Sequence, residues 1–131
     1  MARIERDFLG AMEIPDDAYY GIHTLRAYHN FNTSVRKVNP ELIKAIAAIK
    51  QAAADANMII GRLDRKLGDA IYQAASEVAQ GKFLDQFIVD ALQGGAGTST
   101  NMNVNEVIAN RAIEILGKKK AIIRWCTLLT T

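Results

Sequence analysis

A glycine-rich stretch followed by hydroxyl and amide side chains is the part of this sequence whose residue types could do chemistry. Gly94 to Gly97 lead into Thr98-Ser99-Thr100-Asn101, and from there into an amphipathic segment that we expect to be helical until about Leu116. The first turn of a helix has backbone N–H groups without intrahelical acceptors, and the helix dipole makes that end positive. The stretch therefore predicts a cradle for a small anion such as a carboxylate.

The same stretch has features of three other kinds of loop. Gly95-Ala96-Gly97 suggests a dinucleotide site, but the third glycine is missing and the preceding segment, Phe83 to Leu92, looks helical rather than extended. No Gly-Lys-Ser/Thr follows to make a nucleotide-binding P-loop. An ordinary loop ending in a helix cap stays open, since Asn103 and Glu106 stand at capping-box spacing, and composition alone favours it.

The remaining titratable residues show no spacing typical of a catalytic or metal site. His23 and His29 are too far apart for one face of a regular helix, so each is expected to be a surface or packing residue. Asp16-Asp17 and the aspartates from Asp85 to Asp90 are expected to be turn and helix-surface charges. The single cysteine, Cys126, excludes an internal disulfide and a cysteine-rich metal site.

Length and composition fit one globular domain. The chain has 131 residues, of which 50% are hydrophobic and 23% charged, enough to bury a core. A formal charge of +2, with Lys118-Lys119-Lys120 as the only basic cluster, argues against nucleic acid or an anionic membrane as a partner. Neither a signal-type apolar run nor a membrane-spanning length is present, so we expect a cytoplasmic protein.

We expect a mainly α fold that starts with an irregular arm or short hairpin, because turn-forming residues interrupt the first part of the chain. Gly10 and Pro15-Asp16-Asp17 mark turns in the first twenty residues, and Thr24 to Phe31 predicts a short helix. Tyr19 and Tyr20 are expected to anchor the arm to a small helical domain.

Two clear helices follow the arm. Asn39 is a good N-cap, Pro40 suits the first helical position, and apolar residues recur at three- and four-residue spacing until Gly61. A second helix is expected from Asp64 to Gly81, with Leu63 and Leu67 placed as in a hydrophobic staple. Their short connection predicts antiparallel packing.

Two motifs give a family resemblance. The run from Gly94 to Ala112 closely resembles the first signature region of the aspartase/fumarase superfamily, and so does Tyr20-Gly21-Ile22-His23-Thr24-Leu25-Arg26-Ala27. The resemblance extends from about Ile4 to Gly117. Where this chain has Gly21 to Arg26, fumarases usually have Gly-Ala-Gln-Thr-Gln-Arg. Where it has Ala96 to Asn103, they usually have Ser-Gly-Thr-Gln-Ser-Asn-Met-Asn. The sequence is therefore more similar to the aspartate ammonia-lyase branch; a fumarase domain or a non-catalytic helical interaction module remain the alternatives.

The resemblance implies a reaction and a set of site residues. The implied reaction is reversible elimination of ammonia from L-aspartate to give fumarate through an aci-carboxylate intermediate, and it needs no cofactor. In the family, a serine on a loop far downstream is the base, so none of Ser34, Ser76 or Ser99 is given that role. Thr98 matches the hydroxyl that contacts substrate, with Ala96 and Gly97 shaping the backbone around it. Weaker candidates, as supports or further donors, are Ser99, Thr100, Asn101 and Asn103.

The resemblance also implies what lies outside this sequence. Family enzymes are several times longer, are built on a central helical bundle and form homotetramers whose active sites combine different subunits. Residues 1–117 are thus predicted to be an N-terminal domain that is inactive alone and that pairs with the missing bundle and with other subunits.

Residues 118–131 have no counterpart in the family. Lys120 to Thr130 can be back-translated so that a shifted frame reads Gly-Asp-Tyr-Ser-Met-Val-His-Pro-Leu-Asn, which is similar to the family at this point. A frameshift or a vector-derived tail would explain the change. Sequencing of the encoding DNA tests the frameshift.

Overall fold

A two-stranded hairpin precedes four α-helices in the computed structural model, which describes residues 1–120. The elements in chain order are β1 (Ala2–Asp7), β2 (Gly10–Pro15), α1 (Ile22–Asn30), α2 (Pro40–Ile59), α3 (Arg65–Ala79), a 3-10 turn (Leu84–Gln86) and α4 (Thr98–Ile115). The expected mainly α fold is confirmed, and of the two forms expected for the N-terminal arm the structure has the short hairpin. Among the described residues, no helix is both long and apolar enough to cross a membrane.

The hairpin is fixed to the helices by charged side chains. β1 and β2 pair antiparallel from Ala2 opposite Pro15 to Asp7 opposite Gly10. Arg26 of α1 binds the Asp7 carboxylate through two N–H groups, at 2.6 and 2.7 Å. The hydrogen bond from Arg26 lowers the pKa of Asp7. Arg3, also on β1, donates from its guanidinium to the backbone carbonyls of Pro15, Ala18 and Tyr20, in the segment that leads into α1.

The N-cap predicted for α2 is confirmed, and α3 starts directly after Asp64, where a helix was expected to begin. The Asn39 side chain accepts the N–H of Glu41 at 2.9 Å, and Asp64 accepts the N–H of Leu67 at 3.2 Å. The two helices pack along each other, as their short connection predicts. Gly68 allows this close contact, because a Cβ there would lie 2.2 Å from the Met58 sulfur.

Helix α4 passes through the core and contacts α1, α2 and α3. Its residues 103–110 are all buried. The capping-box interpretation of Asn103 and Glu106 was wrong, because α4 already begins at Thr98 and both side chains lie inside the helix.

The helical expectation for Phe83 to Leu92 was also wrong. Only Leu84–Gln86 forms a 3-10 turn, followed by an isolated bridge between Lys37 and Asp90. Two apolar residues of this segment, Phe87 and Val89, are instead buried individually in the core.

Candidate functional site

The glycine-rich loop reaches α4 through three consecutive residues in the left-handed backbone region. The φ angles are 79° at Gly95, 53° at Ala96 and 87° at Gly97, so among these three residues only Ala96 carries a side chain, a methyl group. Glycine adopts such angles without the steric penalty that a Cβ brings. All three residues are exposed. The loop therefore makes a tight turn and leaves Thr98, the first residue of α4, exposed.

Thr98 is the first residue of α4 and is exposed to solvent. Its hydroxyl donates to the carbonyl of Gly95 at 2.6 Å, and its N–H reaches the same carbonyl at 3.0 Å. Within residues 1–120, the N–H groups of Gly97 and Ser99 have no protein acceptor, and the first turn of α4 has no acidic side chain. An open, positive helix end next to a hydroxyl can accept a carboxylate.

A glutamine supports this loop from the inside. The side-chain carbonyl of Gln93 accepts both the N–H of Thr100, at 2.9 Å, and its hydroxyl, at 3.0 Å. The side-chain amide of Gln93 donates to the backbone carbonyl of Asp90 at 2.7 Å. Gln93 thus connects Thr100, in the first turn of α4, to Asp90, which precedes the loop.

Asp90 anchors that segment. Its carboxylate accepts the N–H groups of Thr33, Ser34 and Val35 at 2.8 to 3.1 Å, the N–H of Leu92 at 2.8 Å, and the hydroxyl of Ser34. Hydrogen bonds, that of the Ser34 hydroxyl above all, hold the pKa of Asp90 far below its usual range. The expectation of a surface charge was wrong for Asp90, because its side chain is 6% exposed and serves as the acceptor for a whole turn.

The predicted site residues lie at different depths. Ala96, Gly97 and Thr98 meet at the surface of the loop, whereas Ser99 and Asn101 are half-buried. Two other side chains point inward: Thr100 binds Gln93, and Asn103 is fully buried with its amide donating to the carbonyl of Gln86 at 3.0 Å. The exposed residues can contact a ligand directly, whereas the buried Thr100 and Asn103 can only hold the loop in place.

A second helix N-terminus, that of α1, is closed by a buried carboxylate. Glu106 of α4 accepts the N–H groups of Gly21, His23 and Thr24 at 2.9 to 3.0 Å and the Thr24 hydroxyl at 2.5 Å. Burial raises the pKa of Glu106, against the opposing effect of the Thr24 hydroxyl and the backbone donors.

Glu5 of β1 completes this closure by accepting the N–H of Ile22 at 2.9 Å. Gly21 has to be glycine here, since a Cβ would lie 2.8 Å from a Glu106 oxygen and 2.9 Å from a Glu5 oxygen. The sequence interpretation missed both acids. The one available signal was a charged residue inside the apolar run that surrounds Glu106.

The aromatic and imidazole side chains have structural or surface positions. Tyr19 anchors the arm as predicted: its hydroxyl donates to Glu114 at 2.7 Å, and its ring packs on Phe83 at 4.8 Å. His23 and His29 are exposed on α1. No group of three or more potential metal ligands of the His, Cys, Asp and Glu types occurs in the described part of the chain.

Comparisons with known proteins identify the family of this loop. A family model described as lyase matches residues 10–128. An aspartate ammonia-lyase of a Bacillus species is 58% identical over 118 residues, which are 90% of this chain and 25% of that protein. The aspartate ammonia-lyase of Escherichia coli K12 is 50% identical over 121 residues, again 25% of its length.

Solved structures agree with the sequence comparisons. A fumarate lyase:delta crystallin from Brucella melitensis superposes with a TM-score of 0.92 at 48% identity, over 95% of this chain and 27% of that one. A class II fumarase from Schistosoma mansoni gives a TM-score of 0.85 at 39% identity, over 91% of this chain and 26% of its own. This chain spans about a quarter of the length of these relatives. By these matches and by both of its motifs, the chain belongs to the lyase family, in the aspartase/fumarase superfamily.

Proposed function

We propose that this chain is the N-terminal, substrate-loop-bearing domain of an aspartate ammonia-lyase, which converts L-aspartate to fumarate and ammonia. The observation that carries the proposal is the exposed Thr98 at the open N-terminus of α4. It lies in a chain that is 58% identical over 118 residues to an aspartate ammonia-lyase. The solved fumarase is less similar to this chain, at 39% identity.

The chemistry of the elimination explains what such a loop would do. Removing a proton beside a carboxylate gives an aci-carboxylate with an extra negative charge, and fixed donors accelerate the step only if they bind that charge better than they bind the substrate. The hydroxyl of Thr98 would turn from the Gly95 carbonyl to a carboxylate oxygen. The N–H groups of Gly97 and Ser99 lie beside it and have no acceptor among the described residues.

The inner residues would act by holding the loop. Thr100 is bound to Gln93, and Asn103 to the carbonyl of Gln86, so neither needs to touch the substrate to matter. Ser99 and Asn101 lie between the exposed and the buried groups. We assign residues 1–117 to this domain and keep residues 118–131 as a tail of separate origin. The family match runs to residue 128, and residues 121–131 lie outside the described part of the chain.

The remaining parts of the active site would come from other polypeptide segments. The general base, the central helical bundle and the other subunits of a homotetramer are the expected partners, with no cofactor needed for the elimination. This chain alone would then bind substrate weakly and catalyse nothing. A cytoplasmic location follows from the same proposal, because the substrate and product are small intracellular acids.

Grafting tests the proposal directly. Residues 1–117 replace the matching quarter of the Bacillus subtilis aspartate ammonia-lyase, and ammonia release from L-aspartate is measured for this hybrid and for the 131-residue chain. We expect activity from the hybrid only. Thr98→Val in the hybrid should lower kcat/KM by about 100-fold, as loss of one oxyanion donor does, whereas Thr98→Ser should keep most of it.

Three results would contradict the proposal. A folded hybrid that hydrates fumarate but releases no ammonia from L-aspartate would indicate a fumarase domain. A folded hybrid with neither activity would favour a non-catalytic module. Full activity of the Thr98→Val hybrid would remove the loop from the substrate site.

A further inference from the structure

Helix α4 is capped by a side chain that lies outside the helix. Its N-cap residue, Gly97, has no side chain that could accept a backbone N–H group. Gln93, four residues earlier, accepts the N–H of Thr100, the third residue of the helix, at 2.9 Å. In α2 and α3 the N-cap residues themselves, Asn39 and Asp64, accept an N–H of the first turn. The backbone position and the side-chain acceptor of an N-cap are therefore divided between two residues in α4.

This division keeps one N–H group of the first turn free. An ordinary N-cap side chain folds over the helix end and accepts the N–H of the second or third helical residue. In α4 the third N–H is taken by Gln93, whereas the N–H of Ser99, the second residue, has no acceptor within residues 1–120. Gly97 has no side chain that could cover Ser99. A carboxylate can therefore bind the Ser99 N–H without displacing a cap.

The side-chain amide of Gln93 is matched to backbone groups of opposite kinds. Its oxygen accepts the N–H and the hydroxyl of Thr100, at 2.9 and 3.0 Å, and its NH₂ group donates to the carbonyl of Asp90 at 2.7 Å. Asp90 is in turn held by the N–H groups of Thr33 and Val35. A carboxylate at position 93 could only accept, and an apolar side chain could do neither. The position thus requires an uncharged side chain with both a donor and an acceptor.

We propose that Gln93 is a positioning residue of the substrate loop, which fixes the first turn of α4 from outside the helix and leaves the Ser99 N–H to a substrate carboxylate. Its lack of charge is part of this role, because a capping Asp or Glu would place a negative charge beside the bound carboxylate. Gln93 itself touches no substrate and acts through Thr100. The proposal rests on the assignment of this loop to a lyase active site, and it adds a residue that precedes the run from Gly94 to Ala112.

Two substitutions separate positioning from support of the fold. Gln93→Glu keeps an acceptor for Thr100, loses the donor to Asp90 and adds a charge, whereas Gln93→Met has a similar length and loses all three hydrogen bonds. Urea denaturation of the 131-residue chain measures the stability of both variants. Gln93→Met should cause the larger loss, because it leaves the buried Thr100 without a partner, while a carboxylate is favourable near a helix N-terminus.

Activity should follow the opposite order. In the hybrid with the Bacillus subtilis aspartate ammonia-lyase, Gln93→Met should lower kcat/KM for L-aspartate by about tenfold, since the first turn of α4 is held less firmly. Gln93→Glu should lower it by about 100-fold, because its charge lies next to the N–H that binds the carboxylate. Salt raised from about 0.1 to 1 M should recover part of the Gln93→Glu loss only, relative to the unsubstituted hybrid at the same salt. Gln80→Glu adds the same charge at an exposed position after α3 and, as the control, should leave kcat/KM nearly unchanged.

The order of the two losses decides the outcome. If Gln93→Met reduced activity as well as stability more than Gln93→Glu, Gln93 would only support the fold. A Gln93→Glu hybrid as active as the Gln80→Glu hybrid, or one whose loss salt does not relieve, would also overturn the proposal, and this comparison holds even if circular dichroism shows that Gln93→Met does not fold. An unsubstituted hybrid without activity would instead contradict the lyase function itself.

Discussion

The N-termini of α1 and α4 present the same physical problem and are treated in opposite ways. Each end has N–H groups without intrahelical acceptors and the positive end of a helix dipole. At α1 these groups are buried and bound by Glu106 and Glu5. At α4, Gln93 accepts the N–H of Thr100, but within residues 1–120 the N–H of Ser99 has no acceptor and the exposed Thr98 follows a loop of glycine and alanine. A helix end that the chain closes with its own carboxylates is structural, and one left open is available to a carboxylate from outside.

The two ends are linked through α4. Thr98 starts this helix, and Glu106 lies two turns further along it. The same rigid element thus presents the open end and closes the other one. A disturbance at Glu106 would therefore reach the loop through the placement of α4, while a disturbance at Thr98 would stay local.

The largest effect is expected at the closed end, for Glu106→Ala. This change leaves two buried N–H groups, the partly buried N–H of His23 and the Thr24 hydroxyl without an acceptor, and should lower the free energy of unfolding by about 3 to 5 kcal/mol. Urea denaturation followed by circular dichroism measures it. Glu13→Ala, at an exposed position of β2, is the control and should change stability by less than about 0.5 kcal/mol. A Glu106→Ala loss below about 1 kcal/mol would mean that the closure is not structural.

Gly21→Ala is expected to have the next largest effect. The added methyl group would lie within 3 Å of both carboxylates and must push them from the backbone, which should destabilise the chain by about 2 kcal/mol. Gly97→Ala at the open end is the comparison. It meets a positive φ but no atom within 4 Å, so about 1 kcal/mol is expected. Equal losses at the two glycines would show that contact with the carboxylates is unimportant.

Local signals explain what could be predicted of these regions. Asn39 and Asp64 cap the helices that follow them directly, with partners two and three residues away. The cap at Asn39 and the helix start at Asp64 were predicted because such signals are local. The loop was identified through its long motif, and its φ angles agree with its glycines. The hairpin was expected only as one of two forms of the arm, since turn residues locate it but do not fix its pairing.

The buried acids could not be predicted because their partners are distant in sequence. Glu106 binds residues 82 to 85 positions earlier, and Asp90 binds residues 55 to 57 positions earlier. Spacing within a single segment suggested a capping box for Glu106. That residue does cap a helix, but it caps α1 and not the helix that contains it.

A smaller effect is expected from pH, again at the closed end. Because the pKa of Glu106 is raised in the folded state, its proton binds the native chain more tightly than the unfolded one. The resulting stability is fully present below the unfolded pKa of about 4.3 and is lost as pH rises through the folded pKa. The slope is at most about 1.4 kcal/mol per pH unit.

Comparison of the wild type with Glu106→Gln isolates the contribution of Glu106 to the pH dependence of stability. The difference in their free energies of unfolding should change with pH above about 4.3, whereas the acids with lowered pKa, such as Asp7 and Asp90, affect both chains equally and at lower pH. A difference that is constant from pH 4 to 8 (roughly the range in which carboxyls with raised pKa titrate) would contradict a raised pKa.

The smallest change in stability is expected at the open end, for Thr98→Val. The hydroxyl of Thr98 binds only the exposed Gly95 carbonyl, which water can serve equally well, so the free energy of unfolding should change by less than about 0.5 kcal/mol. Urea denaturation of the 131-residue chain measures this, with Thr100→Val as the comparison. Thr100 is buried on Gln93, and its loss should be clearly larger. If Thr98→Val lost as much stability as Thr100→Val, Thr98 would be a structural part of an ordinary loop. The contrast between the N-termini of α1 and α4 would then be lost.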